Sequence, residues 1–218
     1  MRPSYLAILV VLLPVVAAAQ VSSPERRGYV GLGVSIVRLP TGPEDYHLWE
    51  SFSGAAPEVT VALGRRVEPG LGFELEVGIP AAITMDQRYR GPDLAAYTAS
   101  QQDFMFMGLV RVPLGPARAI QPVAGGGVAL GRSGRSDVTY TGYLPGAVPV
   151  PGPDERTTRL LVPLSVGIDI VIPAGRRWAL GPGVRYTHVG RRPVASELEW
   201  IGVSAHRWRI GFAAFTRF

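Results

Sequence analysis

Past residue 20 the chain is built of segments about ten residues long in which apolar side chains recur at every second position. That is the period of a strand, whose successive side chains point to opposite faces. Eight such segments can be read. Residues 29–38 carry Val30, Leu32, Val34 and Ile36 on one face, and 58–67 carry Val59, Val61 and Leu63. Residues 71–79 are the most regular, with Leu71, Phe73, Leu75, Val77 and Ile79. Residues 103–112 place Phe104, Phe106, Val110 and Val112 together, and 120–130 form a Gly-rich segment. Residues 159–172 carry Leu160, Val162, Leu164, Val166, Ile168 and Ile170; 178–189 carry Trp178, Leu180, Val184 and Tyr186. The eighth segment, 206–218, has Trp208, Ile210, Phe212, Ala214 and Phe218 on one parity. The pattern predicts an all-β protein.

The connections alternate in length. Residues 68–70, 113–119 and 173–177 are tight turns rich in Pro and Gly, whereas 39–57, 80–102, 131–158 and 190–205 are long and polar. An even number of strands with short turns at one end and long loops at the other predicts an up-and-down antiparallel barrel of the outer-membrane kind. The same alternation puts both termini at the short-turn end, which would be the periplasm.

Alternation alone does not say which face is inside, because a soluble lipocalin-type barrel has the same period with apolar side chains inward. The opposite parity decides. It reads Tyr29, Gly31, Gly33 and Ser35 on the first strand, Gly125, Gly127 and Ala129 on the fifth, and Gly211 and Ala213 on the eighth. Repeated glycine weakens a strand facing water for no gain, but it suits the narrow lumen of an eight-stranded barrel. The other residues of this parity are charged: Glu58, Glu74, Glu76, Asp103 and Asp169 against Arg66, Arg111, Arg185, Arg207, Arg209 and Arg217. These eleven are expected to form a charge-paired lumen, since an unpaired charge there would cost several kcal/mol. The apolar parity is then expected to face lipid. Trp178 and Phe218 fall at the periplasmic ends of their strands and Tyr186, Trp208 and Phe104 toward the loop ends, where aromatic girdles belong.

Composition adds the compartment. Of 218 residues 47% are apolar and 18% charged, with 27 Gly, 20 Pro and no Cys. Every basic residue is Arg, and the net charge is +5. No basic helix or nucleic-acid motif accompanies that charge, so nucleic acid is not an expected partner. The lack of Cys excludes disulfides, thiolate metal sites and a Cys nucleophile. Arg2, the apolar run 5–16 and the small residues Ala17 to Ala19 predict a cleaved signal peptide over 1–19. Pro14 and the shortness of the run argue against a membrane anchor. A short periplasmic segment, 20–27, then leads into the barrel at 28–218.

A signal peptide, eight dyad strands and the closing "WRIGFAAFTRF" together resemble the small bacterial outer-membrane barrels, of which the OmpA membrane domain and OmpX are familiar members. The resemblance implies that the terminal strand is read by the barrel-assembly machinery, with Phe218 as the terminal aromatic and Trp208, Ile210 and Phe212 as its supporting alternation. Thr216 departs from the pattern, which prefers a larger apolar residue or Tyr. No peptidoglycan-binding domain is expected after the barrel.

The expected function is non-enzymatic: a barrel in outer-membrane lipid whose four surface loops serve envelope integrity or extracellular binding. Tyr140 and Tyr143 in 131–158, and Tyr46, Trp49 and Phe52 in the first loop, are candidate contacts. A narrow solute channel is one alternative, opposed by a lumen filled with side chains. A lipid-modifying enzyme of Ser/His type is the other. Ser204 and His206 lie two apart near the outer end of the last strand, His188 near that of the seventh, and Glu197 and Glu199 are nearby in sequence. A lone Ser-x-His is a weak signal, so no catalytic residue is assigned. No cofactor or metal is expected either: the three His (His47, His188, His206) are scattered, and Gly125 to Gly127 lack the Lys-Ser/Thr of a phosphate loop.

Overall fold

The structure, a computed structural model, describes residues 28–39, 54–67, 71–88, 94–114, 119–141, 148–190 and 205–218. The expected signal peptide 1–19, segment 20–27, Tyr46, His47, Trp49, Phe52, Tyr143, Glu197, Glu199 and Ser204 lie outside the described residues.

Eleven strands form one sheet: β1 Gly28–Leu39, β2 Gly54–Val67, β3 Leu71–Pro80, β4 Ile83–Arg88, β5 Leu94–Arg111, β6 Ile120–Thr141, β7 Val150–Pro151, β8 Glu155–Ile170, β9 Ile172–Pro173, β10 Trp178–Gly190 and β11 His206–Arg217. Eight of them are staves. They pair antiparallel in the order β5, β3, β2, β1, β11, β10, β8, β6, and β6 pairs back onto β5, which closes the barrel. The first and last staves meet along their length, from Tyr29 opposite Arg217 to Arg38 opposite Trp208. The other three strands are continuations: β4 prolongs β3 beyond Ala81 and Ala82, β9 prolongs β8, and β7 lies on the far end of β6.

Closure fixes the faces. On β8, Leu160, Val162, Leu164, Val166, Ile168 and Ile170 are 45% to 75% exposed, while the alternating Leu161, Ser165 and Asp169 are buried. Leu32, Val34 and Ile36 on β1, Phe73 and Leu75 on β3 and Ile210 and Phe212 on β11 are exposed in the same way. Apolar side chains pointing outward all round a closed barrel form a belt that water would not tolerate and hydrocarbon does.

Inside, three apolar layers flank a polar one. Tyr29, Val171, Ala179 and Phe215 pack at the short-turn end, with Tyr29 edge-on to Phe215 at 5.8 Å. Met105, Met107, Leu109, Val123, Ala129, Leu161 and Val189 line one wall, and Val37, Leu39, Ala56, Ile83, Tyr97, Ala99 and Val138 fill the long-loop end. The backbones of β5 and β6 run unusually close at two glycines. A Cβ on Gly125 would run into the carbonyl oxygen of Gly108, and one on Gly127 into that of Phe106. Only glycine lets the two backbones approach so closely.

The structure corrects the extent of two loops. Residues 80–102 and 131–158 read as connections, yet much of both is strand. β4 pairs β5 from Ile83 opposite Gln101 to Arg88 opposite Ala96, and β6 pairs β8 out to Arg135 opposite Glu155. The reason is physical. These parts stand beyond the apolar belt, so their outward positions (Thr84, Asp86, Thr98, Arg156, Thr158) are polar and the hydrophobic alternation vanishes although the strand continues.

Candidate functional site: a charged ladder across the lumen

The inward parity of β2, β3, β5, β8, β10 and β11 brings four carboxylates and four guanidiniums together at mid-barrel. Arg111 on β5 binds Glu74 on β3 in fork geometry, Nε to Oε2 and Nη2 to Oε1 at 2.8 Å each, and its Nη1 donates to Asp169 on β8. The Tyr29 hydroxyl donates to Glu74 Oε2 at 2.8 Å from β1. Arg185 on β10 bridges Asp169 and Glu76, with Nη2 to Oδ2 and Nη1 to Oε2 both at 2.8 Å. Arg209 on β11 reaches Glu76 through both nitrogens, 2.7 and 2.9 Å, and Glu58 on β2 at 3.0 Å. Arg207 donates to the other oxygen of Glu58 and to the Asp103 carbonyl oxygen at 3.4 Å.

Glu58, Glu74, Glu76, Asp169, Arg111, Arg185 and Arg207 are buried. Taking such ions out of water costs several kcal/mol each, and good geometry with further hydrogen bonds offsets it. Each carboxylate here meets at least one guanidinium, and the eight formal charges cancel. Beside the ladder a cavity of about 40 Å³ is bordered by Ser35 and Arg185. Ser35 Oγ and Arg185 Nε have no hydrogen-bond partner among the described residues, and the space suits a few waters that would satisfy them.

The remaining sequence candidates lie apart from the ladder's centre. Asp103 accepts from Gln101 Nε2 at 2.8 Å nearer the long-loop end. Arg66 and Arg217 line a space at the short-turn mouth with Tyr29, Val171 and Phe215. Sequence reasoning missed Tyr29 as a ladder member and Phe215 as the lid beneath it, with the Arg111 guanidinium 5.5 Å from the Phe215 ring centre. Both lie on the inward parity already recognised, so the signal was present. Their aromatic character hid it, because a parity sorted by charge and size passes over an inward aromatic.

On the outer face, Trp208, Ile210 and Phe212 point away from the lumen, and Phe218 adjoins Gly28 through paired backbone hydrogen bonds. At the rim of the belt the Arg132 guanidinium lies 5.2 Å over the Phe104 ring. The Tyr186 ring lies 5.1 Å from that of Trp208, tilted by 56°, and its hydroxyl bonds His206 Nδ1. His206 is therefore engaged by a phenol on the outer surface.

A family model for the outer membrane protein beta-barrel domain matches residues 6–214. The chain belongs to this family. The barrel accordingly sits in the outer membrane, with its apolar belt against lipid. Among solved structures it resembles Ail, the attachment invasion locus protein of Yersinia pestis, at 8% identity and a TM-score of 0.54, over 89% of this chain and 99% of that one. At that identity the likeness is one of fold. Neisserial surface protein A is similar at 12% identity and a TM-score of 0.44, over 88% of this chain and 97% of that one. The outer membrane protein OprG of Pseudomonas aeruginosa is similar at 10% identity and 0.46, over 88% and 94%. No curated protein sequence matches the chain.

Proposed function

We propose that this outer-membrane barrel is a closed, non-enzymatic scaffold that holds its long loops at the cell surface for extracellular binding or envelope integrity. The charged ladder carries the reading. A connected set of ion pairs from β2, β3, β5, β8, β10 and β11 crosses the lumen and, among the described residues, leaves small spaces beside it, and an eight-stranded barrel so filled has no room for a diffusing solute. The extended far ends of β5, β6 and β8 support the second half of the reading. Tyr140, Val148 and Val150 are exposed there, apolar side chains at a tip beyond the lipid belt. Tyrosine is among the residues that most often anchor a binding surface, which makes Tyr140 the contact of choice here.

In this reading both termini face the periplasm and the barrel-assembly machinery recognises β11 through Phe218, with Trp208, Ile210 and Phe212. Catalysis is disfavoured by the phenol bonded to His206 Nδ1, which occupies a nitrogen a general base would need. Reconstitution into planar bilayers tests the closed lumen: no steady conductance is expected, and a steady ohmic current carried by the folded wild-type barrel would defeat the proposal. Lipid A of identical mass in cells with and without the gene is the matching expectation for the absence of enzymatic activity.

A further inference from the structure

His188 and His206, far apart in sequence, face each other across β10 and β11. Their backbone register is the informative part. The Val189 N–H donates to the Ala205 carbonyl oxygen at 2.7 Å, so residues 189 and 205 form a hydrogen-bonded pair. In an antiparallel ladder the next pair along, 188 with 206, is then of the non-hydrogen-bonded kind, in which side chains on one face come closest. The ring centres are 4.9 Å apart and the two Nδ1 atoms 3.5 Å apart.

That separation has a chemical meaning. Imidazole nitrogens bind zinc at about 2.0–2.1 Å, so two of them on one tetrahedral ion lie about 3.4 Å from each other. The nitrogens of His188 and His206 therefore stand at the spacing a single ion requires. The Tyr186 hydroxyl hydrogen-bonds that same His206 Nδ1 and has to turn aside for the nitrogen to bind an ion. His188 is exposed and His206 half-buried on the outward face, so an ion arriving from outside meets them directly.

We propose that His188 and His206, with the Tyr186 hydroxyl beside them, form a surface site for one divalent transition-metal ion of the zinc or copper class. Paired imidazoles select such ions over magnesium and calcium, which take oxygen donors. The site spans two neighbouring staves at the outer rim of the lipid belt, above Trp208. Its remaining coordination positions open outward, to water. Bound metal would cross-link β10 to β11 near their long-loop ends.

The test uses the untagged wild-type chain folded in detergent micelles and titrated with Cu²⁺. One ion per chain is expected, with a paramagnetic resonance spectrum split by two nitrogens. Cu²⁺ should displace Zn²⁺ bound beforehand, as the order of affinities at nitrogen sites requires. His188→Ala and His206→Ala should each reduce the coupling to one nitrogen, and the double variant should bind roughly a hundredfold more weakly, as expected when one of two tethered donors is lost and then the other. Gel mobility of unboiled samples checks that each variant is folded. Should a variant fail to fold, the wild-type spectrum alone decides, because a spectrum without two-nitrogen splitting overturns the proposal. Equal copper binding by the wild type and the folded double variant overturns it as well, and would assign the ion to His47 or another donor.

Discussion

At the scale of single residues, the ladder makes Arg111 the most consequential side chain in the lumen. It holds Glu74 in a bidentate fork and also reaches Asp169, so its loss strips Glu74 of its fork and leaves Asp169 to Arg185 alone. Removing one partner of a buried pair typically costs about 3–5 kcal/mol, much of it the penalty of the charge left behind. Arg111→Leu is therefore expected to lower the stability of the folded barrel by about that much, read from urea unfolding in lipid vesicles. Changing Glu74 to Gln in the Arg111→Leu background should recover part of the loss, because it removes the charge left without its fork. A double-mutant cycle that found the two changes additive would show that the fork contributes no coupling.

At the scale of elements, the staves were legible in the sequence wherever one face met lipid. The short-turn ends of β2, β3, β6 and β10 at Val67, Leu71, Ile120 and Trp178 fall where the alternation places them, because Pro and Gly turns punctuate strands sharply. The long-loop ends of β5, β6 and β8 did not, since a strand in water on its outer side and packed on its inner side carries Thr, Ser and Gln outward rather than Leu or Val. The lumen was half legible. Its charges stand out on one parity, but Met105, Met107 and Leu109 share that parity and read as noise until the sheet closes. The His188–His206 apposition needed register, which periodicity does not supply. Above the belt, Tyr97 on β5 is buried against Val138 and Ile83, and that burial pushes its phenol up to about 12, partly opposed by Arg135. The unfolded phenol titrates near 10. A raised folded value means the stability tied to the neutral phenol is complete below about pH 10 and is lost as pH rises through 12. The β4–β5 hairpin is therefore expected to become protease-sensitive over that window, and Tyr97→Phe should remove the corresponding tyrosinate step from an absorbance titration. A hairpin equally sensitive at pH 9 and pH 12 would count against this.

At the scale of the whole molecule, the solvent on the outside decides what a substitution costs. Val166 lies near the middle of the outward row on β8 and is 57% exposed. An exposed valine in a water-soluble protein accepts arginine at little cost, whereas an arginine at the bilayer midplane costs about 2–4 kcal/mol. Val166→Arg should thus destabilise the barrel in vesicles, and the same change at Arg156, already charged and beyond the belt, offers a zero point when made to Lys. Comparable unfolding midpoints for Val166→Arg and the wild type would mean that this row does not meet hydrocarbon.

The path of the ladder bears on how such a barrel is made. Glu58 and Glu76 come from the second and third staves, while Arg209 and Arg207, which neutralise them, come from the last, more than a hundred residues later. Neighbouring staves pair Glu74 with Arg111 and Asp169 with Arg185, but Glu58 and Glu76 depend on the last staves. A nascent sheet holding only the N-terminal staves would present bare carboxylates to whatever it entered, and one holding only the C-terminal staves would present bare guanidiniums. Half a barrel is thus unbalanced where the finished one is not: Glu58 meets Arg207 and Arg209, and Glu76 meets Arg209, only once the first and last strands close the wall.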